Sequence, residues 1–574
     1  MTAPDSPSRS PTAAALEALA RRPWALFGLC LLLNALARPY RGVSHDAVLY
    51  GAQALNRATG GHFDGDLFFR YGSQDSYSIF SHALAPLVGA LGLPAAFFLA
   101  YLAAKALFLL GGVRLIFALI GRTPAAAAAA LFLAADPVPF GGMDVLHANE
   151  SFLTPRLIAG ACVLWALAGL LHRRVAAALA WLAAGMLFHP LMAVGGAGVA
   201  VVWLARERLP ARALPLLGAA AAAAGALVLA HGPTAVALFG TIDPEWKELV
   251  RRSTPYNFVP EWYAADFARI GLAAAVVAAF ALRTPKRTAG RMAGAVVAVA
   301  LLGLLGTALA GRLPYALLLQ GQPHRALWLL QVVQVPAAAW LAVRLWKSES
   351  PAARTLAVGV PAAVGFRDWN GTTLLWLAAL VPAWAVLCRG LAARPRSPRW
   401  RETALAGAVV SVVVLWTASL LAGLIRFRGE VEGVVSAHEW VWGLLGVPAP
   451  LVYLGTGVWL AGRLFRDRGA AGLSPAWTVP AALAVQAVSF AVPVSEPCRA
   501  RYDRNWEDLT FVAAALPAGR GGAPPTVYWP VRSLPLLWFD LSAHSYFHPG
   551  QNAGNLFNRA NAVETHRRAA LVRP

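Results

Sequence analysis

The stretch PAAFFLAYLAAKALFLLGGVRLIFALI, residues 94–120, is long and apolar enough to cross a lipid bilayer as one helix. Similar runs rich in Ala, Leu and Val recur along the whole chain of 574 residues. The chain is 58% hydrophobic and 13% charged, whereas soluble globular proteins carry about 25% charged residues. So few polar residues cannot cover the surface of a soluble protein of this size. The composition therefore predicts a polytopic helical membrane protein.

The apolar runs predict the number of membrane crossings, since an upright helix needs about 20 apolar residues to span the hydrocarbon core. We expect an all-α bundle of about 13–15 transmembrane helices, in which the shortest runs form half-helices inside the bundle. The predicted spans are 24–38, 94–120, 124–136, 157–172, 175–188, 190–205, 213–231, 268–283, 292–311, 325–346, 354–366, 373–388, 403–425, 436–461 and 477–494.

The composition divides the chain into three parts. Residues 1–22 begin with a segment rich in Ser, Pro and Ala and are predicted to form a disordered cytoplasmic leader. Residues 23–494 form the predicted transmembrane domain, in which 38–80 make a large external first loop. Residues 495–574 contain Pro/Gly-rich turns and a short strand-like segment, and they predict a small extracytoplasmic α/β appendage.

The net charge of +21 comes largely from short clusters of Arg and Lys between the apolar runs. This distribution is typical of cytoplasmic loops under the positive-inside rule. It argues against a nucleic-acid-binding protein, which would need a contiguous basic face. With the N-terminus in the cytoplasm, the basic loops fall inside, and the acids and histidines gather outside. The Ala/Arg/Gly-rich composition is typical of a high-GC bacterium, so we expect a multi-pass protein of a bacterial inner membrane.

The first external loop contains the segment HDAVLYGAQA, residues 45–54, which has a helical pattern. Ala47, Tyr50 and Ala54 share one face of that helix, and Asp46 lies at its start. A carboxylate at a helix N-terminus is favoured by the helix dipole. Asp46 is therefore either a functional carboxylate at the membrane boundary or an N-cap that accepts hydrogen bonds from backbone amides.

This layout resembles the GT-C superfamily of membrane glycosyltransferases, which includes protein O-mannosyltransferases and lipid A aminoarabinose transferases. The resemblance implies a lipid-linked sugar donor with a polyprenyl phosphate, an acceptor that is a carbohydrate, lipid or protein, and Asp46 as the catalytic base or a metal ligand. Many members have an Asp-Glu pair at this point, whereas Asp46 is followed by Ala47. The chain is also similar to a group of bacterial membrane proteins that share HANESFLTPRL (147–157), HPLMA (189–193) and the tail pattern of 545–559.

The segment GQPHRALWLLQ, residues 321–331, is the best candidate for binding the donor phosphate. His324 and Arg325 lie where an external loop enters a predicted helix, and an unpaired Arg at that place is costly unless it meets an anion. The alternative is an interfacial Arg that extends to the headgroups, with Trp328 as an aromatic-belt residue.

A second polar segment, residues 136–157, carries Asp144, His147 and Glu150, which we interpret as secondary acids or substrate-binding residues. His147 and Glu150 could both reach one metal ion if this segment were helical, although a site needs three or more ligands. Asp66, in FDGDLFF, has the oxygen ligands that Mg²⁺ or Mn²⁺ prefers, but Asp-Gly-Asp is also a common turn. A divalent cation is therefore a possible cofactor.

The sequence leaves two other function classes open. A transporter or flippase would place ionisable groups at mid-membrane in broken helices. A non-catalytic protein that binds or assembles lipid-linked glycans would keep the fold without the chemistry. An Asp46 that faces Arg325 at the membrane rim favours the enzyme, whereas an Asp46 whose oxygens cap a helix favours the binding protein.

Overall fold

The computed structural model describes residues 11–72, 74–207, 240–349, 351–365, 449–491, 516, 524–529 and 534–572. The predicted spans 213–231, 373–388 and 403–425, the first part of 436–461, residues 1–10 of the predicted leader and residues 495–515 of the predicted appendage lie outside the described residues.

The described part of the chain is almost entirely helical. Its longer helices are Pro11–Arg21, Pro23–Ala37, Ala47–Ala58, Phe80–Leu91, Leu93–Ile120, Pro124–Ala135, Pro155–Leu171, Val175–Phe188, Pro190–Glu207, Pro244–Ser253, Ala264–Arg283, Arg287–Arg312, Leu327–Trp346, Pro351–Gly365, Ala449–Arg468, Pro475–Ala491 and Arg559–Val572. Many begin with Pro, whose fixed φ and missing N–H suit the first helical position.

Six stretches in the described residues are long and apolar enough to cross a membrane, and they indicate a multi-pass membrane protein. They are Leu93–Ile120, Pro190–Glu207, Ala264–Arg283, Arg287–Arg312, Ala316–Trp346 and Ala471–Ala491. Shorter apolar helices precede the first of these stretches and lie between others. The total of about 13–15 crossings stays a prediction.

The helix Leu327–Trp346 is buried over most of its length, and the turn Pro323–Ala326 leads into it. Two glycines on neighbouring helices allow this turn to pack closely. A Cβ at Gly195 would lie 3.1 Å from the Cα of Ala326, and one at Gly303 would lie 2.5 Å from the carbonyl oxygen of Pro323. Small residues let helices approach in this way in membrane bundles. They hold the residues of the turn firmly in place.

Residues 11–21 are helical, which differs from the disordered leader expected for 1–22. Ala15, Leu19 and Ala20 are buried, because they form an apolar face that packs against the helices Ala449–Arg468 and Pro124–Ala135. An Ala-rich segment has a high helix propensity. Packing of this face against the bundle adds to that propensity.

Two short ladders lie outside the helices. Pro139–Phe140 pairs antiparallel with Leu146–His147, which forms a hairpin in the second polar segment. Thr526–Val527 pairs parallel with His544–Ser545 in the C-terminal tail. The tail ends in the helix Arg559–Val572, whose first residue forms ion pairs with acids at the start of another helix.

Candidate anion site at one end of the bundle

Asp46 occupies the N-cap position of the helix Ala47–Ala58, but its side chain makes no capping hydrogen bond. Its carboxylate accepts a hydrogen bond from Nη1 of Arg156 at 2.6 Å and lies 3.2 Å from Nδ1 of His45. The ring of His45 stacks on Phe152, with 5.4 Å between the ring centroids. The Asp46 side chain is 32% exposed. It therefore faces charged partners and solvent rather than backbone amides.

Arg156 joins Asp46 to a second carboxylate. Its Nε donates to Oε1 of Glu150 at 2.8 Å, and its Nη2 donates to the same oxygen. The Thr154 hydroxyl donates to the other oxygen of Glu150. Arg156 and Glu150 are 5% and 2% exposed. Arg156 is not among the site residues predicted from the sequence, although an Arg that follows Pro155 at the start of an apolar helix needs a carboxylate or an anion as partner.

A buried polar network binds the segment that contains Glu150. Nζ of Lys105, in the helix Leu93–Ile120, donates to Oδ1 of Asn149 and to the carbonyl oxygen of Glu150. The Asn149 amide donates to the carbonyl oxygen of Asp136 at 2.7 Å. These bonds hold the backbone of the segment that carries Glu150, whose carboxylate pairs with Arg156.

The charges around Asp46 control its ionisation. Burial alone would raise the pKa of Asp46, but the Arg156 guanidinium and His45 outweigh it and hold the pKa of the carboxyl well below its usual range. The hydrogen bond to Asp46 raises the pKa of His45. Burial raises the pKa of Tyr50, on the adjoining helix, to about 12. Asp46 is therefore an anion and Tyr50 a neutral phenol at neutral pH.

Arg325 interacts electrostatically with the residues around Asp46. Its Nε donates to Oε1 of Gln322 at 2.6 Å, and it interacts electrostatically with Asp46, Arg156 and Tyr256. The residue is buried, and its Nη1 has no hydrogen-bond partner among the residues that the structure describes. Since Arg156 is shared by two carboxylates, Arg325 supplies a guanidinium N–H that remains available to an anion.

His324 lies beside Arg325 and is 1% exposed. Its ring meets Tyr256 and Trp262 edge-on, with centroid separations of 6.4 and 6.0 Å. Gly141 lies against one edge of the ring, since a Cβ there would lie 3.2 Å from Cδ2 of His324. Within the described ranges, neither nitrogen of His324 has a hydrogen-bond partner.

Asp144 and His147 belong to a separate cluster. Oδ1 of Asp144 accepts from Nη1 of Arg269 at 3.1 Å and lies 3.8 Å from Nε2 of His147, and the Asp144 side chain is 63% exposed. His147 is in a strand, so the helical His147–Glu150 pair is not formed, and Glu150 binds Arg156 instead. In the described part of the chain, no three His, Cys, Asp or Glu side chains come together to hold a metal ion.

Asp66 connects the first loop to the C-terminal tail. Its side chain is buried and caps a short helix by accepting from the backbone N–H of Phe68. Its two oxygens also accept hydrogen bonds from Trp538, Ser545 and Gln551. These contacts indicate a structural role.

The packing of Trp262 beside His324 can be tested by a substitution at Gly142. A Cβ at this position would lie 2.3 Å from ring atoms of Trp262, so Gly142→Ala must displace the indole. We expect a loss of about 1–3 kcal/mol in the free energy of unfolding, measured by denaturation in detergent. Gly271→Ala is the matched control, because no atom lies within 4 Å of its added Cβ. Equal stability of the two variants would contradict this packing.

Comparisons of the chain with protein-family models, with curated proteins and with solved structures found no match.

Proposed function

We propose that the chain is an integral membrane glycosyltransferase that moves a sugar from a polyprenyl-phosphate donor to an acceptor on the extracytoplasmic side of a bacterial inner membrane. The observation that carries the proposal is the ionised carboxylate of Asp46, which interacts electrostatically with Arg325, an arginine whose Nη1 has no hydrogen-bond partner in the described part of the chain. A base and a cation at the membrane boundary are the two groups that such a transfer needs.

The proposed reaction requires one base. Asp46 takes the proton of an acceptor hydroxyl or amine while the acceptor atom forms a bond to the anomeric carbon. The bond from that carbon to the phosphate oxygen breaks, and its electron pair leaves with the lipid phosphate. Arg325 stabilises the charge that develops on this phosphate. Because the attack and the departure take place on opposite faces, the configuration at the anomeric carbon is inverted.

One observation favours the non-catalytic binding protein as a second candidate. The ion pair with Arg156 lowers the pKa of Asp46, whereas a general base is most effective when its pKa lies near the working pH. The site would then bind a lipid phosphate through Arg325, and Asp46 would orient Arg156. The transporter alternative has less support. Its candidate residue is His189, which lies at the break between the helices Val175–Phe188 and Pro190–Glu207. Nδ1 of His189 already accepts a hydrogen bond from the N–H of Met192 there.

Asp46→Asn separates the enzyme from the binding protein. We expect transfer from a panel of polyprenyl-phosphate sugars by purified protein to fall about 10²- to 10⁴-fold, the usual contribution of a general base. Binding of undecaprenyl phosphate should persist, because Arg325 remains. Glu248→Gln, in an exposed ion pair with Arg252, is the control and should transfer normally. Equal transfer by the Asp46 variant would remove Asp46 from the mechanism, and no transfer by the wild type would favour the binding protein.

A further inference from the structure

We propose that His324 recognises hydroxyl groups of the transferred sugar, while Arg325 alone holds the phosphate. This inference rests on the proposed function. It assigns sugar recognition to one of the two neighbouring residues and phosphate binding to the other. His324 would then be a residue that determines which sugar is accepted.

The hydrogen-bonding capacity of His324 is the first argument. A neutral imidazole offers one N–H donor and one lone-pair acceptor, and both ring nitrogens are unpaired within the described residues. A buried polar group left without a partner is destabilising, because it has lost its hydrogen bonds to water. The oxygens of a phosphodiester only accept hydrogen bonds, so they can satisfy one nitrogen at most. Hydroxyl groups both donate and accept, and they can satisfy both.

The surroundings of His324 are the second argument. Tyr256 and Trp262 stand beside its ring, and the indole N–H of Trp262 donates to the carbonyl oxygen of Tyr256 at 2.8 Å. Aromatic rings with a polar tip suit a ligand that has both apolar and hydroxylated parts. No carboxylate lies within ion-pair distance of His324 in the described part of the chain. The surroundings of His324 are therefore aromatic, and the charge that acts on it is the guanidinium of Arg325.

Asn257 is the third argument. It follows Tyr256 in the turn Pro255–Asn257 and is buried. Both Nδ2 and Oδ1 of its amide lack a partner among the described residues. A second buried donor and acceptor in the turn that flanks His324 is what a ligand with several hydroxyl groups requires.

The test compares lipid phosphodiesters with and without a sugar. Methyl dodecyl phosphate carries the phosphodiester alone, and the mannosyl, glucosyl and galactosyl dodecyl phosphates add hydroxyl groups. Binding to the full chain in detergent is measured for the wild type and for His324→Phe, His324→Gln and Arg325→Gln. We expect at least one sugar to tighten wild-type binding about ten-fold over the methyl ester, a gain equivalent to about 1.4 kcal/mol.

His324→Phe should lose this gain and keep the affinity for the methyl ester within about two-fold, because its ring fills the same space without polar atoms. His324→Gln should restore part of the gain, since its amide donates and accepts. Arg325→Gln should weaken every ligand. The inference is overturned if no sugar tightens wild-type binding, if His324→Phe keeps the gain, or if His324→Phe weakens all ligands equally. Failure of the wild type to bind the methyl ester would overturn the proposed phosphate site as well.

Discussion

Arg156→Met is expected to lower the free energy of unfolding by about 3–5 kcal/mol, measured by denaturation in detergent. The Glu150 carboxylate is 2% exposed, and Arg156 is its cationic partner. Without Arg156, a charge would remain buried with only the Thr154 hydroxyl as a side-chain donor. Removal of one member of a buried ion pair is costly for this reason.

A double variant distinguishes the lost ion pair from lost packing. Arg156→Met combined with Glu150→Met removes both buried charges and should recover most of the stability, since apolar side chains of similar volume often replace a buried pair at little cost. Transfer should stay low in both variants, because Asp46 has lost the cation that orients it. A single variant as stable as the wild type would contradict the role assigned to this pair.

The single variant Arg156→Met should also change how the free energy of unfolding depends on pH. Because the folded-state pKa of Asp46 is depressed, its contribution to stability is fully present above the ordinary carboxyl pKa of about 4 and is lost as the pH falls towards the folded-state value. Arg156→Met should weaken this acid-side loss, as seen in unfolding measurements between neutral pH and about pH 3. An unchanged acid limb would contradict the assigned ion pair.

Asp66→Asn is expected to lower the free energy of unfolding by about 3 kcal/mol or more. The carboxylate accepts from the N–H of Phe68 at 2.8 Å, the N–H of Ser545 at 2.7 Å, Nε2 of Gln551 at 2.9 Å and Nε1 of Trp538 at 3.0 Å. An amide turns one acceptor into a donor, so part of this set would face an N–H and lose its bond.

Limited proteolysis shows where this damage occurs. Since three of the four donors belong to the tail, Asp66→Asn should speed cleavage within residues 534–572 before the bundle is affected. Asp64→Asn is the matched control from the same turn. Asp64 is exposed, and its Oδ1 accepts a hydrogen bond from Nδ2 of Asn56 at 2.8 Å. That control should stay within about 0.5 kcal/mol of the wild type. Equal effects of the two variants would show that the tail does not depend on Asp66.

Local patterns predicted several helices closely. The run 175–188 coincides with the helix Val175–Phe188, and 94–120 differs by one residue from Leu93–Ile120. The helix Phe80–Leu91 lies outside the predicted spans, because it has only 12 residues, too few to cross a bilayer upright, and contains Pro86. Asp46 and Arg325 influence each other electrostatically, but the direct ion-pair partner of Asp46 is Arg156.

The membrane class and the positions of many helices follow from the sequence alone, because transfer of a segment into lipid depends on the apolar content of that segment. The partners of each polar residue depend on the tertiary structure. Arg156 joins Asp46 to Glu150, and Asp66 binds donors from the end of the chain. These contacts join residues far apart in sequence, and no local pattern encodes them. Packing of the helices therefore determined which acids form the site and which hold the fold together.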